Sequence, residues 1–385
     1  MKLIIENANI VTPNEVMLGD IAIENGLITE ISKSKLQGDT FLDGKGKYLL
    51  AGFVDLHCHG GINFDFMDAD AKQMKQIADF HLSHGTTSML ATTLASSAEE
   101  MQSSLDAFSE YLKVNPNGTL VGVHLEGPHL NPLQCGAQDT SYMRLPSVKE
   151  FVGLKSKYPF IKRVSCAPEL NGGLEFAKAG ESLGVLMSIA HTDADFSTVV
   201  DAFNHGYKLM THFYSGMKGV TRKNSFRIAG AVEAGYYIDD MSVEVIADGK
   251  HLPIELLALI YKIKGADKIC LVTDAIRACG LPDGSLSILG SIKNGKEIIV
   301  EDGVAKLPDR QSFAGSVATY DHLFRTMAKV PNVDLVRLSK MCSLTPSKIL
   351  GLKDRGEISV GKRADLILMD RDYNIEKVIK KGEVI

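Results

Sequence analysis

Between residues 53 and 340, short apolar runs alternate with amphipathic stretches, and most of the runs stop on a histidine or a carboxylate. The runs are FVDLHCH, SMLATT, TLVGVHLE, RVSCAPE, GVLMSIAH, YKLMTH, MSVEVIAD and KICLVTD. Segments such as AKQMKQIADFHLSHG and EEMQSSLDAFSEYLK lie between them and carry apolar residues at helical spacing. Strands that are apolar on both faces and joined by helices build a parallel sheet covered on both sides. Eight such units predict a (β/α)8 TIM barrel.

The two ends of the chain read differently. KLIIENANIV predicts a strand, and DIAIENGLITEIS predicts two strands around an Asn25-Gly26 turn. GEISVGKRADLILMD and DYNIEKVIKKGEVI return to strand character at the other end. A piece of roughly 50 residues has a poor core by itself. Both ends are therefore expected to form one small β-sandwich domain, residues 1–52 with 356–385, beside a barrel domain of residues 53–355. Residues 213–235 and 278–312 break the rhythm and are expected to be loops, the second with hairpin signals at 293–296 and 301–303.

Bulk composition excludes some partners. The net charge is -5, so no basic excess exists to meet nucleic-acid phosphates. No run approaches the roughly 20 apolar residues of a membrane helix, and the N-terminus lacks a signal-peptide core. The six cysteines (58, 135, 166, 270, 279 and 342) form no CxxC pair. They read as reduced thiols of a cytoplasmic protein. Neither a nucleic acid nor a membrane is expected as partner.

The polar strand ends carry the chemistry, because barrel active sites occupy that face. His57 and His59, spaced by two, project from one side of the first strand, which also carries Asp55. Glu126 ends the third strand with His124 on its face, His191 ends the fifth, and His212 ends the sixth. One such histidine is usually a hydrogen-bonded core residue. His57, His59, Glu126, His191 and His212 together suit a divalent metal. Asp274 ends the eighth strand, where a carboxylate can take a proton from a metal-activated water and pass it to a leaving group. Its alternatives are a sixth ligand or an ion pair. Asp248 is expected to cap the turn before Gly249, with His251 reaching into the cleft. His81, His84 and His205 read as structural or solvated, and Cys58 and Cys270 as packing residues.

In this order, AGFVDLHCHGG, HLEGPH, AHT, THFYSGM, IADGKH, VTDA and FAGS resemble the N-acetylglucosamine-6-phosphate deacetylases of the amidohydrolase superfamily. The resemblance covers nearly the whole chain. It implies a metal at Glu126, His191 and His212, and a second, partial one at His57 and His59. Zinc is the first choice, with iron, cobalt or manganese as alternatives. It also implies a homodimer, an amino sugar substrate, and attack of water on the acetamide with Asp274 as proton shuttle. The implied substrate contacts are Gln138, Ser215, Gly216, Arg227, His251, Phe313 and Ala314.

Three positions depart from the family pattern. Gln138, in QCGAQ, replaces a histidine and can donate to a carbonyl or a sugar hydroxyl without becoming cationic. Asn224 falls where the family's arginine meets the sugar phosphate of the neighbouring subunit, leaving Arg222, Lys223 or Arg227 to supply the charge. SGM replaces Asn-Ala-Met, although the backbone N–H groups of Ser215 and Gly216 do not depend on their side chains. All three touch the pocket rather than the metal. The alternative substrates are therefore N-acetylgalactosamine 6-phosphate, an unphosphorylated acetamido sugar, or a cyclic amide.

Overall fold

A computed structural model describes residues 1–385. Eight parallel strands form the barrel: Phe53–Cys58, Thr86–Thr92, Leu120–Glu126, Ile161–Cys166, Leu186–Ile189, Tyr207–Met210, Ser242–Val245 and Ile269–Leu271. Each pairs with the next in sequence. The ring closes just beyond the eighth strand, where Cys58 bridges Ala275 and the Asp274 amide donates to the His57 carbonyl at 2.9 Å. Asp55 locks this seam by accepting the Thr273 hydroxyl at 2.6 Å. Burial lifts the Asp55 carboxyl to about 7, although the Thr273 hydroxyl and two backbone amides pull it down.

The main core is a cluster of 63 buried residues that joins the barrel strands to the helix faces and takes in Val11, Leu50, Ile367, Met369 and Val378 from the terminal strands. The strands stop one to three residues short of His191, His212, Asp248 and Asp274. Those residues therefore sit in turns on the rim rather than in the ladder.

Both termini contribute to a second sheet. Its order is Glu383–Val384, Ile375–Lys380, Leu366–Met369, Tyr48–Ala51, Lys2–Val11, Val16–Glu24 and Leu27–Ser32, with Thr40–Asp43 also beside Lys2–Val11. Asn25 and Gly26 adopt φ of 51° and 76°, the left-handed pair that a two-residue hairpin needs. A separate 13-residue core, rich in Ile21, Ile23, Leu366 and Ile379, fills the space beneath this sheet.

Three expected stretches differ from the structure. Residues 213–235 hold a hairpin, Thr221–Lys223 with Phe226–Ile228, and the start of the helix Ala231–Tyr237. Every residue of the hairpin but Ile228 is exposed, so no burial pattern marks it in the sequence. Residues 278–312 form a three-stranded antiparallel sheet, Leu286–Leu289, Lys296–Glu301 and Val304–Lys306, turning near both expected positions. GEISV is not a strand. The residues after it, 361–364, run beside the Asn25 turn through isolated bonds, such as Gly361 N–H to the Ile28 carbonyl at 2.8 Å. No helix is long and apolar enough to cross a membrane.

The helix Ala71–Ser83 docks through His81, whose Nε2 lies 2.9 Å from the Gly60 carbonyl and 3.3 Å from Cys58 Sγ. Burial lowers His81 to about 4, against a partial lift from that carbonyl. Between pH 6.5 and about 4 the unfolded chain binds a proton here that the fold does not, so stability falls as pH drops through that window. The loss from this residue is about 3 kcal/mol. His81→Gln, whose amide still reaches Gly60, should lose correspondingly less between pH 7 and pH 4 in urea unfolding. Identical acid sensitivity in the variant would refute the assignment.

Candidate metal centre and active site

Five side chains converge on the rim. Glu126 Oε1 lies 2.9 Å from His212 Nε2, 3.5 Å from His191 Nε2 and 3.6 Å from His57 Nε2. Glu126 Oε2 lies 3.4 Å from His59 Nε2. Two triads result, His57–His59–Glu126 and Glu126–His191–His212, with the ligand atoms of each within 4.8 Å of one another. Either could hold a metal ion, and Glu126 is common to both. Asp274 Oδ1 stands 3.4 Å from His57 Nε2 and 3.2 Å from His59 Nε2. The predicted ligands and Asp274 are therefore brought together from five different strand ends.

Backbone geometry at three of these residues is unusual. His191, His212 and Asp274 adopt φ of 45°, 30° and 47°. The left-handed region costs a non-glycine residue of order 1–3 kcal/mol, and such strain collects at functional sites. Here hydrogen bonds fix it. The His191 carbonyl accepts from Asn131, and the Asp274 carbonyl accepts from Ser316.

The electrostatics match a cation. Burial disfavours every charged form in the cluster. Against that burial, the Glu126 and Asp274 carboxylates lift His57 to about 10, and hydrogen bonds to both lift His59 to about 9. The imidazoles in turn hold Asp274 down to about 2, and Glu126 well below the usual carboxylate range. The carboxylate pair thus demands positive charge at one point. Protons on the imidazoles satisfy it, and so does a divalent cation that displaces them.

Outer contacts orient the imidazoles. His191 Nδ1 faces the Gln134 carbonyl at 2.7 Å, and His212 Nδ1 faces the Ser215 carbonyl at 3.1 Å. His57 Nδ1 faces Glu244 Oε2 at 3.3 Å. Each contact assigns the proton to Nδ1 and turns Nε2 toward the cluster.

Glu244 and Arg163 were not singled out from the sequence. They form a fully buried ion pair in the barrel interior. Glu244 also accepts from the His212 amide at 3.1 Å. Arg163 also donates to the Leu56 carbonyl, Ser188 and Thr211. The signal was present in RVSC and SVEV, since a charge within a strand buried on both faces needs a partner. His124 does not join the cluster. It bonds Ser165 Oγ at 2.7 Å, and burial with the nearby Arg163 keeps it neutral. Asp55 is likewise spent on Thr273.

A cavity of about 240 Å³ opens over the cluster, lined among others by Gln138, Ser215, Gly216, His251 and Phe313. Asp248 accepts from the Lys250 and His251 amides and from His251 Nδ1 at 2.7 Å, and the His251 ring packs 4.9 Å from that of Phe313. Other predicted contacts stand elsewhere. Ala314 is fully buried behind Phe313, with its amide on the Ala305 carbonyl. Arg227 is exposed on the outlying hairpin and does not line the cavity. The Ser215 amide already donates to the His212 carbonyl at 2.9 Å, so of the two expected anion-binding amides only that of Gly216 remains. No lysine or arginine lines the cavity.

Comparison with known proteins agrees with this architecture. The model of the amidohydrolase family matches residues 48–385. The chain belongs to the amidohydrolase family. This amidohydrolase is 31% identical to the N-acetylglucosamine-6-phosphate deacetylase of Lysinibacillus sphaericus, over 100% of this chain and 98% of that one. It is 29% identical to an N-acetylgalactosamine-6-phosphate deacetylase of a Shewanella species, over 88% and 83%. The crystal structure of N-acetylglucosamine-6-phosphate deacetylase from Thermotoga maritima superposes with a TM-score of 0.89 at 34% identity, covering 99% of each chain.

The buried pair beneath the site gives a test. Glu244→Ala strands the Arg163 charge in the interior and should cost about 3–5 kcal/mol. Arg163→Met with Glu244→Leu should recover most of that stability in chemical denaturation. The paired variant should still bind zinc about 10–100-fold more weakly, because His57 Nδ1 has lost its acceptor. Wild-type zinc affinity in the paired variant would show that Glu244 does not orient His57.

Proposed function

We propose that this amidohydrolase removes the acetyl group from an N-acetyl amino sugar 6-phosphate, N-acetylglucosamine 6-phosphate foremost, giving acetate and the amino sugar phosphate. The observation that carries the reading is the Asp274 carboxylate set against two imidazole triads that share Glu126. Glu126, His191 and His212 would hold one divalent ion, zinc by the chemistry of the donors, and His57 with His59 would hold a second or partial one. Bound there, the ion acidifies a water and polarises the acyl oxygen.

The chain's own groups supply the rest. Asp274 is held ionised, so it can accept the proton of the attacking water and deliver it to the amine as the C–N bond breaks. His251, oriented by Asp248, presents Nε2 to the sugar, and Phe313 packs against its ring. The Gly216 amide is placed to donate to a sugar or phosphate oxygen.

The cavity lacks a cation of its own, whereas the outlying hairpin exposes Arg222, Lys223 and Arg227. This division supports a homodimer in which the hairpin of one copy meets the phosphate held by the other. Six free cysteines support a reducing, cytoplasmic setting. A second substrate, N-acetylgalactosamine 6-phosphate, is favoured by the Shewanella relative and by the departure at Asn224.

An acetate-release assay on both sugar phosphates and their unphosphorylated forms tests the reading. His191→Ala and His212→Ala should lose bound metal. Asp274→Asn should keep it while kcat falls by at least about 100-fold. Full metal occupancy in the histidine variants, or unchanged turnover in Asp274→Asn, would overturn the assignments. Arg227→Ala should raise KM for phosphorylated sugars alone. An equal effect on unphosphorylated sugars would remove the phosphate role.

A further inference from the structure

Gln138 lines the cavity, yet its side chain is already committed to the protein. Its Oε1 accepts from the Ala95 amide at 2.8 Å, and its Nε2 donates to Glu126 Oε2 at 2.9 Å. The backbone donor at Ala95 requires the oxygen on that side, so the nitrogen faces Glu126. The main chain is tied as well. The Gln138 amide donates to the Cys135 carbonyl at 3.0 Å, and its carbonyl accepts Lys296 Nζ at 3.0 Å. Four segments meet at this residue: the turn after the second barrel strand, the end of the third, the loop 132–138, and the inserted sheet that carries Lys296. Gln138 is only 6% exposed.

We propose that Gln138 is a positioning residue for Glu126. It pins Oε2 so that Oε1 stays turned to His191 and His212. The proposal rests on Glu126 as the shared metal ligand. A glutamate carboxylate turns easily about its last bond, because that torsion has broad wells. Apart from Gln138, Oε2 has only His59 Nε2 within reach, at 3.4 Å. A donor to a buried carboxylate is a charge-assisted bond, stronger than a bond to a neutral acyl oxygen. A substrate oxygen that sought the same N–H would have to displace Glu126. The contact with Lys296 adds a consequence, since the inserted sheet then helps to hold the metal ligand as well as to wall the cavity.

The amide has a second N–H without a protein acceptor, and a direct substrate contact through it predicts a different outcome. The test compares wild type with Gln138→Ala and Gln138→Glu by zinc affinity in chelator competition and by steady-state kinetics of the zinc-saturated proteins. Gln138→Ala should bind zinc about 10–100-fold more weakly. Its kcat should fall while KM stays within roughly two-fold. Wild-type zinc affinity with a raised KM alone would make Gln138 a substrate donor and overturn the proposal.

Gln138→Glu keeps the Ala95 contact but loses the N–H that holds Glu126 Oε2, so at fixed pH its kcat should fall along with that of Gln138→Ala. Wild-type kcat in Gln138→Glu would overturn the clamp. Zinc affinity needs no substrate. If wild type releases no acetate from any sugar tried, the deacetylase reading fails and the clamp is still decided.

Discussion

Glu126 is a carboxylate with almost no access to water, ringed by four imidazoles. A charge so placed survives only when compensated. Its partners cannot come from neighbouring positions in the chain, because a strand offers few side chains to one point. They come from the first, fifth and sixth strands, which a closed barrel brings around a common axis. The left-handed turns at His191, His212 and Asp274 are the strain accepted to aim them.

The charge balance extends below the rim. Three ionised carboxylates, Glu126, Asp274 and Glu244, face one buried guanidinium, Arg163, which leaves two negative charges. Two protonated imidazoles or one divalent ion close that account, in the sense that either leaves the interior neutral. A second ion at His57 and His59 would need further negative charge from a ligand. Glu126 and Asp274 therefore set the number of positive charges the rim wants, while the Arg163–Glu244 pair is neutral in itself and orients His57 and the His212 backbone. Asp55 lies outside this cluster, bonded to Thr273, and burial raises its carboxyl well above the usual carboxylate range.

The strand count and the convergence of His57, His59, Glu126, His191 and His212 were legible because an apolar run that stops on histidine or glutamate is a local signal. Arg163 and Glu244 carry the same physics, but Arg163 opens its run beside Lys162 and reads as a solvated strand start, and Glu244 sits mid-run between two valines. Ser215 and Ala314 show a different limit. Whether a backbone amide is spent in its own turn, or a residue of FAGS faces the cavity or the core, depends on local dihedral angles that residue type does not reveal. The hairpin at 221–228 was illegible for the opposite reason. Almost nothing in it is buried, so hydrophobic alternation had nothing to record. Gln138 was visible as a departure, but its engagement with Glu126 depends on the fold of the loop that carries it.

Chemistry and selectivity occupy different parts of this molecule, with different mechanical support. The metal-type ligands stand on barrel strand ends packed against the 63-residue core. The walls of the cavity come from insertions: the loop 132–138, the sheet carrying Leu289 and Lys296, and the turn that presents Ser215 and Gly216. These segments pack on a small apolar cluster of their own, which includes Ala137, Leu289, Ile298 and Val300, separate from the main core. Substitutions there can reshape the cavity while leaving Asp274 and the imidazoles where they stand. The partition is incomplete at one place, where Gln138 reaches from the loop 132–138 to a metal-type ligand. A change at that position therefore reaches Glu126 as well as the wall of the cavity.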